Sequence, residues 1–246
     1  MLYVGKGLCE KGVLKMKRSE INKAIKTMEE LAVKHGFALP PFCRFSPEEW
    51  QNKGGEYDEI RDNMLGWDVT DYGEGDFSKV GFTLITLRNG NLAKKDKYKK
   101  TYAEKLLMLF EGQNSPMHFH WSKMEDIINR GGGNLLIQVY NSTPDGGFDN
   151  TDVKILSDGR EYLVPAGTRV RLTPGESISI YQGLYHDFNV EVGTGTVLIG
   201  EVSMCNDDNT DNRFYKPLGR FPTIEEDEPP YRLLCNEYPK SSIILV

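Results

Sequence analysis

Two histidines one residue apart, an acid five positions on and a further histidine downstream carry most of the chemistry in this sequence. His118 and His120 lie in Gly112-Gln113-Asn114-Ser115-Pro116-Met117-His118-Phe119-His120; Glu125 and Gly132 follow, and His186 ends Gly183-Leu184-Tyr185-His186. Side chains alternate faces along a strand, so His118 and His120 point one way and Phe119 the other. Two imidazoles side by side are costly to bury unless something binds them. A carboxylate returning after a short turn supplies a third part of a divalent-metal site, and His186 is available as a fourth. With no cysteine in it, the set suits manganese, iron, cobalt or zinc in a catalytic role, since structural zinc more often recruits thiolates. The remaining histidine, His35, reads as a core or surface residue satisfied by one hydrogen bond.

The elements that must position this set are short strands. Apolar or alternating runs at 82–88, 102–110, 135–140, 154–156, 161–164, 177–181 and 196–203 are separated by turn signals such as Asn89-Gly90, Ser157-Asp158-Gly159 and Thr173-Pro174-Gly175. Many short strands at near-regular spacing imply a sandwich or small barrel. Ahead of them the texture is helical. Ser19 is placed to cap a helix running to about Lys34, with Ile21, Ala24, Ile25, Met28, Leu31 and Ala32 at helical spacing. Gly36 ends it and Pro40-Pro41 prevents its resumption. Ser46-Pro47-Glu48-Glu49 starts another helix, and residues 57–64 form a further short piece. The predicted fold is an all-β barrel with N-terminal helices packed on it.

The organisation read from this pattern is an extension over 1–15, a helical region over 16–66 and the barrel over 67–246. Met16-Lys17-Arg18-Ser19 resembles a second start just before the helix. The acidic, proline-rich tail from about Pro217, ending Ile243-Ile244-Leu245-Val246, is expected to pack across the barrel or supply an edge strand. With 30 basic and 36 acidic residues the net charge is −6, and no broad basic stretch offers a nucleic-acid surface. The one basic run, Lys94-Lys95-Asp96-Lys97-Tyr98-Lys99-Lys100, reads as a solvated loop. No apolar run approaches the roughly 18 residues of a membrane span. Cys9, Cys43, Cys205 and Cys235 are scattered and form no ligand motif, which fits free thiols in a reducing cytosol, the expected location.

The spacing Gly112, five residues, His118-x-His120, four residues, Glu125, six residues, Gly132 is similar to the first cupin motif throughout. The second motif is matched from Gly175 to His186, although Tyr181 stands where proline is usual and Asn189 comes one residue early. The resemblance implies a jelly-roll cupin barrel with His118, His120, Glu125 and His186 as metal ligands. Longer strings carry a narrower likeness: Leu39-Pro40-Pro41-Phe42, Glu59-Ile60-Arg61-Asp62-Asn63-Met64-Leu65-Gly66-Trp67-Asp68, Met117 through Gly133, and Gly200-Glu201-Val202-Ser203. These resemble the D-lyxose isomerase family of cupin sugar isomerases from about Met16 onward. The resemblance implies a manganese-dependent homodimer that interconverts D-lyxose with D-xylulose and, secondarily, D-mannose with D-fructose.

Such a reaction moves hydrogen between C1 and C2 and a proton between O1 and O2, so it needs a Lewis acid and an acid/base group. Glu201 interrupts the apolar run 197–203 and should face the interior or be paired at the barrel rim. Lys105 shares a strand face with Leu107 and Leu109, so it could meet a sugar oxygen from inside or snorkel at the surface. These two are the catalytic candidates, for either an enediol or a hydride-shift path. Asp207 and Arg213, in the polar stretch after the Glu201 strand, and Trp121, beside His120, are the candidate sugar contacts; a solvated loop and ordinary packing are the alternatives. An isomerase or epimerase of a phosphorylated or acidic sugar would need an arginine such as Arg213 or Arg220 in the pocket. A non-enzymatic sugar-binding cupin and an iron oxygenase remain open on the ligand set alone.

Overall fold

The strand-like runs fold into two β-sheets stacked face to face, with one long helix laid on the outside of the larger. The computed structural model describes residues 15–205 and 207–241. β1 (Met16–Lys17) leads into α1 (Arg18–Lys34), followed by the short helices α2 (Pro47–Trp50) and α3 (Asp58–Asp62). Strands β2 (Gly66–Thr70), β3 (Phe82–Arg88), β4 (Tyr102–Leu109), β5 (Asn114–His120), β6 (Glu125–Gly132), β7 (Leu135–Ser142) and β8 (Phe148–Asp149) come next. They are followed by β9 (Val153–Ser157), β10 (Arg160–Val164), β11 (Arg169–Leu172), β12 (Ser177–Ile180), β13 (Leu184–Val190) and β14 (Val197–Met204). A turn of helix, α4 (Asp208–Asp211), then precedes β15 (Asn212–Phe214) and β16 (Ile224–Glu225). The larger sheet has the order β10-β9-β12-β6-β14-β4-β3-β2, and the smaller β11-β7-β13-β5-β15, with β8 on β7.

The uninterrupted apolar stretches of β3, β4 and β14 are explained by burial on both faces. On β4, Leu107 and Leu109 point between the sheets and join Ile127, Ile137, Val139, Phe188, Val197 and Ile199. Leu106 and Met108 point outward, where with Val69, Ile85 and Leu198 they receive Ile21, Ala24, Ile25, Met28 and Ala32 of α1. Truncating such a residue to alanine costs about 2–5 kcal/mol. At one end the inner face turns polar: Glu201 of β14 stands directly opposite Lys105 of β4. Strand alternation thus carries both residues inward from the same faces that build the apolar core.

Most expected elements recur within a residue or two, but two readings change. Helix α1 starts at Arg18, so Ser19 lies inside it; the cap comes from the distant Asp227, whose carboxylate accepts from the Ser19 N–H (2.9 Å) and hydroxyl (2.7 Å). The tail crosses the helical layer and the outer edge of β2: β16 pairs in parallel with β1, Glu226 and Glu237 hold the buried Arg18, and the Cys235 N–H donates to Trp67 O (2.7 Å). That covers a sheet edge which would otherwise be open to another strand. The basic run is an exposed loop pinned to α3, with Lys94 Nζ 2.8 Å and Lys97 Nζ 3.1 Å from Asp62. Together with Tyr98, these ammonium groups outweigh the partial burial of Asp62 and hold its carboxyl down at about 2. Cys43, Cys205 and Cys235 are buried free thiols. Cys9, nearly all of the expected extension, Asn206 and residues 242–246 lie outside the described residues.

Candidate metal centre

The histidines all come from the smaller sheet. β5 and β13 are antiparallel neighbours with His118 opposite His186, and His120 is the last residue of β5. Phe119 points away, edge-on to Trp121 and Tyr185. The Gly183 N–H donates to His120 O (3.0 Å), drawing the start of β13 onto the end of β5; the turn uses a φ of +76° there, which glycine adopts without strain. His118 Nδ1 lies 2.8 Å from Pro116 O and His186 Nδ1 3.0 Å from Leu184 O. Each ring thus donates Nδ1–H to the backbone two residues upstream and presents Nε2, the arrangement a metal-binding imidazole needs. One nitrogen from each of the three rings lies within 4.8 Å of the others. Burial, then the neighbouring rings His186 and His120, pushes His118 well below the ordinary imidazole range; burial, then Lys123, lowers His120.

The larger sheet brings the charged groups. Glu125 opens β6, and its Oε1 lies 3.2 Å from His120 Nε2 and 3.2 Å from His186 Nε2. Its Oε2 meets the Lys123 ammonium. Burial alone would raise the Glu125 carboxyl, but Lys123, then His120, outweigh it and hold the group well below the usual carboxylate range. Lys123 Nζ also lies 2.9 Å from Glu201 Oε1, and Lys105 Nζ lies 3.3 Å from the same oxygen. All four of these side chains are buried. Two ammonium and two carboxylate groups therefore share one desolvated cluster, where removing one member would leave its partners uncompensated.

The sequence does not single out Lys123, because a lysine in a turn ordinarily reads as solvated. Its signal is position: it sits between His120 and Glu125, in a turn that must fold back over the site. Asp211 fixes that turn by accepting from the Ser122 N–H (2.8 Å) and the Lys123 N–H (3.2 Å), while its own N–H donates to Asp207 O (3.0 Å). The cavity beside the cluster is lined by Tyr72, Ser115, Asn212, Phe214 and Arg220 along with Lys105, Lys123, Glu125, Glu201, His118 and His120. None of the three expected sugar contacts is in this lining. Trp121 is 57 % exposed, beyond the end of β5. Arg213 is on the opposite face of β15 from Asn212 and Phe214, with its guanidinium on Phe214 O beside Gly146. Asp207 borders an adjacent chamber instead.

The residues present fit a divalent ion. His186 is fully buried, yet among the described residues its Nε2 has no hydrogen-bond partner, and an orphaned buried acceptor of this kind costs about 1–3 kcal/mol. Two further imidazole nitrogens and one carboxylate oxygen surround that atom, and three such nitrogens with a carboxylate are donors a borderline-to-hard cation prefers.

A family model described as D-lyxose isomerase matches residues 16–238. The chain is 49 % identical over 224 residues to the D-lyxose/D-mannose isomerase of Serratia proteamaculans, covering 91 % of this chain and 98 % of that protein. It is 48 % identical over 224 residues to the protein of the same name from Escherichia coli O157:H7, with the same coverage of 91 % and 98 %. Among solved structures, L-ribose isomerase of Cellulomonas parahominis aligns with a TM-score of 0.54 at 16 % identity, covering 87 % of this chain and 100 % of that one. L-ribose isomerase of Acinetobacter sp. DL28, in complex with L-ribose, gives 0.57 at 13 % identity, covering 86 % and 99 %. At these identities the structural likeness establishes the cupin fold alone.

Proposed function

From the premise that the chain belongs to the D-lyxose isomerase family, and is a sugar isomerase, we propose that it interconverts D-lyxose and D-xylulose, and D-mannose and D-fructose. Its cofactor in this reading is a divalent ion, manganese foremost, held by His118, His120, Glu125 and His186. When bound there, the ion supplies Lewis-acid polarisation of the sugar carbonyl. The observation that carries the reading is a buried carboxylate, Glu201, held by two ammonium groups through one oxygen, beside the three imidazoles and lining one cavity with His118 and His120.

Glu201 takes the proton from C2 of the aldose and returns it to C1, so the carboxylate is regenerated in each turnover. Lys105, buried against it, carries the proton between O2 and O1. Lys123 holds the second oxygen of Glu125 and the near oxygen of Glu201, keeping the ligand and the base at a fixed separation. Tyr72, Ser115 and Asn212 offer hydroxyl and amide groups to the remaining sugar oxygens. A homodimer in the cytosol belongs to the same reading; buried free thiols agree with a reducing compartment, and a solution mass checks the dimer.

One observation favours a second reading, an isomerase of a phosphorylated sugar: Arg220 lines the cavity. Its guanidinium is already paired with Asp68, so that wall presents a compensated charge and suits neutral hydroxyls better. The test is turnover of D-lyxose by metal-stripped protein, with and without added manganese, beside sugar phosphates. Manganese-restored turnover of the free sugar is expected; activity restricted to the phosphates overturns the reading.

A further inference from the structure

The Asp68–Arg220 pair takes no part in the proton transfers above, yet its arginine lines the same cavity. Arg220 is the one described residue that lines both this cavity and a neighbouring chamber of about 410 Å³, and Asp68 borders that chamber. Several contacts hold the arginine still. Asp68 Oδ2 accepts from Nη2, the Phe221 ring lies 4.8 Å beneath the guanidinium, and Thr70 Oγ1 donates to Arg220 O (2.9 Å). Asp68 itself is 1 % exposed, and its Oδ1 has no hydrogen-bond partner among the described residues. A buried carboxylate oxygen in this state keeps its capacity to accept a hydrogen bond.

Across the larger sheet, Glu125, Glu201, Lys105 and Asp68 stand on β6, β14, β4 and β2 in that spatial order, with β3 between the last two. Asp68 thus holds Arg220 on the β2 side of the site, away from the imidazoles and Glu125. Glu201 and Arg220 line one cavity, so a sugar whose C1 and C2 lie beside Glu201 has room to direct its other end toward Arg220.

We propose that Arg220, positioned by Asp68, measures the length of the sugar chain; the inference rests on the sugar-isomerase reading above. Arg220 donates to the terminal hydroxyl of a pentose and closes the cavity against the sixth carbon of a hexose. A hexose is accommodated when that carbon displaces the partition toward the second chamber. The forked guanidinium is suited to this because its five N–H groups can serve Asp68 and a hydroxyl together, whereas a lysine would offer a point charge without the fork.

The test uses manganese-loaded wild type, Arg220→Lys and Asp68→Asn. Calorimetric Kd values are measured for two unreactive alditols, D-arabinitol and D-mannitol, beside KM and kcat for D-lyxose and D-mannose. Arg220→Lys is expected to raise the arabinitol Kd and the lyxose KM about tenfold, with kcat within about threefold and the hexose values within about threefold of wild type. Asp68→Asn shifts the pentose preference the same way, by about threefold. Equal changes for five- and six-carbon ligands, no change in either, or a wild type that binds the two alditols equally overturns the proposal. Manganese binding and melting temperature on the same samples identify a damaged fold, in which case Arg220→Gln takes the place of Arg220→Lys. Alditol discrimination that depends on Arg220, in a protein that turns over neither sugar, would refute the isomerase reading and leave the chain-length reading intact.

Discussion

The two sheets meet at the centre with different chemistry. The smaller sheet brings imidazoles, each locked by its own strand: His118 and His186 are oriented by carbonyls two residues upstream, and burial keeps His118 and His120 uncharged at neutral pH. The larger sheet brings Lys105, Glu125 and Glu201, with Lys123 from the connecting turn, and these hold one another through ion pairs between strands. A ligand fixed by backbone geometry can be removed without moving its neighbours, whereas a member of a buried ionic cluster cannot. In the proposed division of labour the smaller sheet holds the ion and the larger sheet moves the proton, with Glu125 as the link between them.

The comparison breaks most completely if the smaller sheet is disarmed. His118→Ala/His186→Ala is expected to abolish manganese binding by calorimetry and to reduce turnover to background, more than about 10³-fold. On the other side, Lys123→Gln removes the cation shared by Glu125 and Glu201. It should lower kcat by about 10²- to 10³-fold and weaken manganese by about tenfold, because the two carboxylates then repel each other. Lys105→Gln removes an ion pair of Glu201 and leaves the Lys123 bridge to Glu125 in place, so kcat should fall about 10²-fold with manganese affinity unchanged. Equal loss of manganese in both lysine variants would erase the distinction drawn between them.

Acid sharpens the comparison with the smallest effect. The folded metal-free protein holds His118 and His120 below the ordinary 6.5, so the unfolded chain takes up protons first. Their contribution is therefore complete above about pH 7 and is lost as pH falls through about 6.5. Glu125 is held below its ordinary 4.5, so its contribution is lost only as pH falls further, below that value. Melting temperatures of metal-free protein from about pH 8 to about pH 2 should fall in two stages, and His118→Gln should flatten the first alone.

The same contrast explains what the sequence discloses. The histidine pair and Glu125 are close in sequence and framed by turns, while Glu201 and Lys105 each interrupt an apolar strand whose alternation places them inside. Lys123 and Asp211 carry no such mark, because their importance comes from a turn folding back, where neither periodicity nor composition distinguishes them. The Asp68–Arg220 pair joins residues 152 positions apart, a separation over which one sequence has no local signal. Proximity to His120 and to the Glu201 strand points Trp121 and Arg213 toward the sugar, but the end of β5 and the alternation of β15 turn them away. Ser19 has the residue type of a cap, but the distant Asp227 does the capping.

The most direct test compares Glu201→Gln with His186→Ala, measuring manganese affinity and D-lyxose turnover in each. Glu201→Gln should bind manganese within about threefold of wild type while kcat falls at least about 10³-fold, and His186→Ala should lose both. Manganese lost with Glu201, or turnover kept without it, would contradict the assignment of binding to one sheet and proton transfer to the other.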